Sequence, residues 1–218
     1  MVDTTLFKPD VSVALTRYNE PDKLISITLG FLANQKNIKV EVLFYDQVES
    51  PNIKKACKTM TNDNIVFRYN KIEKRGLSYA RNLGIKNALA DKLLFLDADA
   101  LPSDTWAAHM AAALEETVNT PKPTYVAAVS GNIAPLFLPK SGIPSATVRK
   151  SNNTGPAWCK SKLVLEMYSA LQFPVKRVLL GRMIGASCGV NLKRVGRKLQ
   201  FDGSLGRNNN LRGGEETK

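Results

Sequence analysis

Two aspartates one residue apart, Asp97 and Asp99, close the apolar run Leu93-Leu94-Phe95-Leu96. Paired carboxylates suit a hard divalent cation, Mg2+ or Mn2+, which takes oxygen ligands and can bridge to the oxygens of a diphosphate. Alternation in an extended chain would turn residues 97 and 99 toward one side, and Pro102 ends the extended segment. An Asp-x-Asp triplet is common by chance and describes two solvated loop residues as readily as a metal site. Its position favours the metal site, because ligands of open α/β sheets bind beyond the carboxyl ends of the strands.

The elements that would hold such a pair are legible in the first 120 residues. Apolar runs at 11–15, 40–45, 65–69 and 93–96 read as strands, separated by helical patterns at 21–35, 50–60, 77–90 and 103–118. The run at 93–96 is apolar throughout, as a strand buried on both faces should be. Pro21 suits the first turn of its helix, and Ser103 is the expected N-cap of the last. Alternating β and α units predict an α/β fold with a mainly parallel central sheet and helices on both faces. Beyond residue 120 the pattern changes. A strand is expected at 125–129, an irregular stretch at 135–156, a helix at 158–171, glycine-broken strand pieces at 179–192, and a polar, glycine-rich tail from Phe201.

Composition narrows the function classes. The net charge is +12, and it is uneven: residues 1–139 carry 16 Lys and Arg against 15 Asp and Glu, residues 140–218 carry 15 against 4. A basic final third fits an anionic partner or a solvated face. It lacks an aromatic-basic RNA motif, so nucleic acid is not expected as a partner. Cys57, Cys159 and Cys188 form no CxxC pair and are expected to be reduced and partly buried. His109 is the only histidine, which excludes multi-histidine metal sites and marks it as structural. No GxGxxG follows the first strand and no GxxxxGK[ST] is present, against a dehydrogenase or P-loop enzyme. The start of the chain lacks the features of a signal peptide, and no apolar run reaches the ~20 residues that span a bilayer. A cytoplasmic location is expected, with peripheral contact at the cytoplasmic membrane face through basic residues 140–218.

Several segments together resemble the GT-A-type family 2 inverting glycosyltransferases, from about residue 11 onward. Thr16-Arg17-Tyr18-Asn19-Glu20 resembles the family's opening turn, which touches the nucleotide base and ribose. Asp46 stands where the family has an aspartate that hydrogen-bonds the base, followed here by Gln47-Val48-Glu49 in place of Asp-Gly-Ser. Gly76-Leu77-Ser78-Tyr79-Ala80-Arg81-Asn82-Leu83-Gly84 resembles the family's Gly-x-Ser-x-Ala-Arg-Asn-x-Gly helix start. A helix N-terminus there would offer N–H groups to the donor, and Arg75 and Arg81 could contact phosphate. For Ala80 and Gly84, tight packing of the helix on the sheet is the simpler reading. Phe95 to Pro102 resembles the metal-binding strand end, and Gly185 to Asn191 the glycine-rich strand on the acceptor side.

Phe201-Asp202-Gly203-Ser204-Leu205-Gly206 and then Gly213-Gly214-Glu215-Glu216 resemble the loop carrying the catalytic base. By position, Glu216 is the first choice for the base and Glu215 the second. The resemblance implies one domain, 1–218, with a nucleotide-binding half to about 120 and an acceptor-binding half from about 121. The chain is expected either to be shortened at its C-terminus or to be unusually compact.

The implied reaction moves a sugar from a nucleotide donor, a UDP- or GDP-sugar, to a glycan or lipid-linked acceptor hydroxyl with inversion, using Mn2+ or Mg2+. Asp97 and Asp99 would hold the metal. Thr16, Tyr18, Glu20, Asp46, Arg75, Gly76, Arg81, Asp97 and Ala98 would contact the donor. Trp158 would stack on an acceptor sugar or serve as a core aromatic. The alternative is a protein of the same fold that binds nucleotide or anionic glycan without turnover.

Overall fold

The computed structural model describes residues 6–118, 124–130 and 185–203. Strands β1 (Val11–Arg17), β2 (Val40–Asp46), β3 (Ile65–Lys71) and β4 (Lys92–Asp97) alternate with helices α1 (Asp22–Ala33), α2 (Pro51–Met60), α3 (Leu77–Asn87) and α4 (Trp106–Glu115). Short strands β5 (Thr117–Val118), β6 (Thr124–Tyr125) and β7 (Ala128–Ser130) follow, then β8 (Ser187–Asn191) and a single turn, α5 (Leu192–Val195). The six-stranded sheet runs β3-β2-β1-β4-β8-β7. β1 to β4 are parallel, whereas β8 runs antiparallel to both β4 and β7. The fold is thus α/β with a mostly parallel sheet, as the alternation predicts.

Strand periodicity divides the core into two layers. Val11, Val13, Leu15, Val42, Phe44, Leu94 and Leu96 face α1, α2 and α4, meeting Ile25, Leu29, Leu32, Ile53 and Met110. Ala14, Leu43, Tyr45, Leu93 and Phe95 face α3, meeting Ala80 and Ile85. Right-handed crossovers dictate this split. The chain steps from β1 to β2 to β3 in one direction with α1 and α2 on one face. It must return to β4 on the other side of β1, which puts α3 on the opposite face. Contacts divide the chain into one unit of Met1–Gly131 with Arg182–Lys218 and another of Asn132–Gly181; the second lies outside the described residues. The change of pattern near residue 120 does not divide the sheet, since β7 and β8 come from beyond it.

Two expectations are corrected. The helix at 103–118 is shorter, and Ser103 does not cap it. Thr105 stands at the N-cap and makes no side-chain cap bond. Buried Gln35 from the end of α1 does that work, accepting from the Ala107 N–H at 2.9 Å and donating to Ser103 O at 2.7 Å. A cap brought by tertiary packing leaves no local signal. The single strand at 125–129 is two strands, β6 and β7, in different sheets. The break falls where Arg194 enters, its guanidinium donating to Val126 O (2.7 Å) and to the terminal α4 carbonyls of Leu114 (2.6 Å) and Glu115 (3.1 Å). Those carbonyls have no partner within the helix. Of the strand pieces expected at 179–192, β8 at Ser187–Asn191 is one, and 179–184 lie outside the described residues.

Gly84 explains how closely α3 lies on β1. A Cβ there would stand 2.8 Å from the Ala14 Cβ, which cannot rotate away. Alanine gains about 1 kcal/mol of helix propensity over glycine, but overpacking costs roughly 1–3 kcal/mol. Gly84→Ala is therefore expected to destabilise by about 1 kcal/mol in denaturant unfolding, and Ala14→Gly in the same chain to recover part of the loss.

Candidate active site

The winding of the chain reverses between β1 and β4, and the carboxyl ends of these neighbours open a crevice at such a switch point. Parallel register sets Thr16 beside Asp97 on one side and Tyr45 on the other. Asp97 ends β4 with 37% of its side chain exposed. The extended alternation expected through 97–99 stops there. Ala98 and Asp99 form a turn, closed by the Ala100 N–H donating to Asp97 O at 3.0 Å. Ala98 is buried in the core, and its carbonyl accepts from the Thr28 hydroxyl of α1 at 2.8 Å. Burying that methyl and tying that carbonyl pulls the chain out of line and leaves Asp99 exposed at the tip.

Arg81, for which a phosphate contact is expected, is buried, with 3% of its side chain exposed. It donates to Gly185 O at 2.9 Å, stands 3.6 Å from the Asp97 carboxylate, and lies over the rings of Phe95 and Phe201. Its neighbour Asn82 makes a reciprocal pair with the Phe201 backbone, 2.9 and 2.7 Å. Two successive α3 residues thus anchor the chain before β8 and the chain after α5 beside Asp97.

Asp46, the residue assigned to the base, is fully buried. Its Oδ1 accepts from Val48 N–H at 3.0 Å, and its Oδ2 from Ser50 N–H at 3.2 Å and the Tyr69 hydroxyl at 2.8 Å. Buried Arg17 lies 3.5 Å away and pairs with Asp22 at 2.6 Å. Burial, reinforced by the bond to Asp46, pushes the Tyr69 hydroxyl up to about 12, so it remains a donor. A hydrogen bond from Ser50 and the Arg17 guanidinium hold the Asp22 carboxyl below its usual range. Asp46 therefore shapes the loop after β2 and exposes no atom to a ligand in this arrangement.

The other donor-side residues are more open. Tyr18 is 50% exposed, with the Arg75 guanidinium 5.8 Å from its ring centre. Glu20 accepts from the N–H groups of Tyr18 and Asn19 and so closes the turn after β1. Gly76 adopts φ 129°, a conformation L side chains rarely take, and starts α3 without any side-chain cap. The first-turn N–H groups of α3 therefore lack a capping side chain. Gly76 N–H donates to the Gln47 side chain at 3.1 Å. Ser78, in the same turn, has a buried hydroxyl with no hydrogen-bond partner among the described residues.

The donor set fits a hard cation. Asp97 and Asp99 offer only carboxylate oxygens, and among the described residues no three His, Cys, Asp or Glu side chains gather. Two carboxylates with the remaining positions left to water and phosphate is the usual arrangement for Mg2+. Trp158, Glu215 and Glu216 lie outside the described residues, as does Cys159. Cys57 and Cys188 are buried, and burial pushes the Cys57 thiol up to about 12. No helix among the described residues is long and apolar enough to cross a membrane. The sequence pattern assigns no site role to Arg17, Thr28 or Tyr69. A buried Arg and Thr inside otherwise apolar segments were the available signal.

A mostly parallel sheet with its polar residues gathered at the β1/β4 switch point defines a nucleotide-binding type of α/β fold. The model of the family described as glycosyl transferase family 2 matches residues 12–141, and the chain belongs to that family. The mannosyltransferase PcManGT of Pyrobaculum calidifontis, solved with GDP-Man and Mn2+, is similar in structure (TM-score 0.58, 21% identity, 92% of this chain and 50% of that one). So is TarS 1-349 of S. aureus (TM-score 0.53, 16% identity, 89% and 51%). At these identities the likeness is one of fold. The chain spans about half the length of both. No curated protein matches it.

Removal of Arg81 tests its structural part. Deleting one member of a buried charged network costs on the order of 3 kcal/mol. Arg81→Ala is expected to lose about that much in denaturant unfolding with no nucleotide present. A residue that served only to contact phosphate would leave nucleotide-free stability unchanged.

Proposed function

We propose that the protein transfers a sugar from a nucleoside diphosphate donor to an acceptor hydroxyl, with the donor diphosphate bound at the β1/β4 crevice. The observation that carries this reading is the position of two carboxylates at a switch point of the sheet, Asp97 ending β4 and Asp99 in the turn after it, next to the helix whose Arg81 reaches Asp97 and whose start is free of side-chain caps. The α3 N–H groups and the orphaned Ser78 hydroxyl would receive phosphate oxygens, with Arg75 adding charge from outside. Thr16, Tyr18 and Glu20 would form the wall on the nucleoside side, with Ala98 lining the turn.

Asp97 and Asp99 would hold Mn2+ or Mg2+, which when bound supplies positive charge against the departing nucleoside diphosphate. The mannosyltransferase solved with GDP-Man and Mn2+ supports a GDP-sugar and manganese in particular; a UDP-sugar is the other donor considered. The acceptor oxygen attacks the anomeric carbon as the bond to the diphosphate oxygen breaks on the opposite face, inverting the centre. The acceptor proton passes to Glu216, or to Glu215. Trp158 would stack on a glycan or lipid-linked acceptor. Basic residues 140–218 would rest against an anionic membrane surface at the cytoplasmic face.

Calorimetric titration of GDP and UDP with and without Mn2+ tests the metal assignment. Loss of an outer partner of a metal ligand costs 10–100-fold in affinity, so removing a ligand should cost at least about tenfold. Asp99→Ala is expected to abolish the Mn2+-dependent gain in binding, and an unchanged gain would sink the assignment. Steady release of nucleoside diphosphate from a sugar nucleotide should stop in Glu216→Gln; release at the wild-type rate would remove Glu216 from the base role.

A further inference from the structure

The helices on one face of the sheet are more apolar than their packing requires. In α1, Ile25, Leu29 and Leu32 are buried in the core, and that spacing accounts for one face of the helix. A second stripe, Leu24, Ile27 and Phe31, follows the same helical period but is only partly covered, and Phe31 is 43% exposed. Thr28 and Gln35 donate to Ala98 O and Ser103 O. These bonds lay the chain after β4 along α1, with Leu101 partly exposed. In α4, on the same face, Ala108, Ala112 and Ala113 also reach the surface. Apolar residues gathered on one side, rather than scattered singly, mark an interaction surface.

The flanking charge identifies the partner. α2 packs beside α1 and contains no acidic residue. Its Lys54, Lys55 and Lys58 are exposed, as is Lys23 of α1. The lysine ion pairs among the described residues belong to Lys36, Lys71 and Lys92, so these four have no carboxylate partner there. Lys54 and Lys58 stand one turn apart, where like charges repel. An anionic surface relieves that repulsion. Pairing the face with a second copy would add to it, and a nucleic acid would leave the apolar stripe in water. We propose that the α1–α2 face docks on a bilayer containing anionic lipid, with Ile27 and Phe31 entering the headgroup boundary and the four lysines meeting lipid phosphates. Surface-lying helices bind bilayers through this combination of apolar area and basic charge. The face is separate from basic residues 140–218, and its assignment does not depend on the donor-site reading. α1 begins at Asp22, which Arg17 at the end of β1 holds, so the docked face runs up to the crevice.

Co-sedimentation of the full chain with vesicles, without nucleotide, tests the proposal. Wild-type protein is expected to bind vesicles of equal parts phosphatidylcholine and phosphatidylglycerol and to bind phosphatidylcholine alone far more weakly. A lysine at an anionic surface is worth about fivefold in partition, so Lys55→Gln with Lys58→Gln should weaken binding by about 25-fold. Phe31→Ser removes the exposed part of a ring and should weaken it by about fivefold. Lys86→Gln with Lys198→Gln makes the same change in net charge, on α3 and on the chain after α5, which pack on the other face of the sheet; this pair should bind much as wild type does. No binding to the mixed vesicles overturns the proposal. So does wild-type binding by either α1–α2 variant, which would leave residues 140–218 as the membrane contact, and so does an equal loss in the two lysine pairs, which would mean that net charge alone acts. A wild-type dimer that Phe31→Ser dissolves would put a second copy on this face and equally overturn it. Each of these failures leaves the donor site standing.

Discussion

The parallel pairing of β1 with β4, with Thr16 in register with Asp97, is the contact on which the rest of the site depends. These strands are distant in sequence, and the chain reaches β4 only after winding outward through β2 and β3. A right-handed return places α3 on the face opposite α1 and α2. The crevice, the helix start beside it and the carboxylate at the end of β4 all follow from that reversal. Its tightness depends on small residues. Gly84 lets α3 settle on Ala14, and Gly189 lets β8 settle beside β4 where a Cβ would meet Leu94. Arg81 and Asn82 can reach the chain on either side of β8 and α5 because their helix lies this low on the sheet.

Two buried guanidinium groups then fix the polar ends of the strands. Arg17 ties the end of β1 to Asp22 at the start of α1 and to Asp46 at the end of β2. Arg81 stands between Asp97 and Gly185. Burying such groups costs desolvation that a single ion pair does not recover, and each is offset here by further contacts: the Glu20 carbonyl for Arg17, two aromatic rings for Arg81. Charge spent on internal geometry holds the exposed groups in place. Asp99, Tyr18 and the start of α3, the groups proposed to meet the donor, lie at these same strand ends.

Much of the fold was legible because its signals are local. The all-apolar stretch 93–96 is a strand buried on both faces, and the α1 face of Ile25, Leu29 and Leu32 meets the core as its spacing requires. The two aspartates were visible because they follow such a strand. What the pattern could not give was set by partners far along the chain. The turn at Ala98 depends on Thr28, 70 residues earlier. The cap of α4 comes from Gln35, and the break between β6 and β7 from Arg194. The inward placement of Arg81 and Asp46 depends on Gly185, Phe201 and Tyr69. A charged residue in a family motif reads as a ligand contact until its neighbours are known.

The central claim is that the turn after β4 holds a divalent cation together with a nucleoside diphosphate. Diffraction at the manganese absorption edge from crystals grown with GDP and Mn2+ tests it most directly. The account predicts one strong anomalous peak in coordination contact with carboxylate oxygens of Asp97 or Asp99 and with phosphate oxygens of the nucleotide. Nucleotide bound elsewhere, or bound in the crevice with no manganese at these carboxylates, would contradict it.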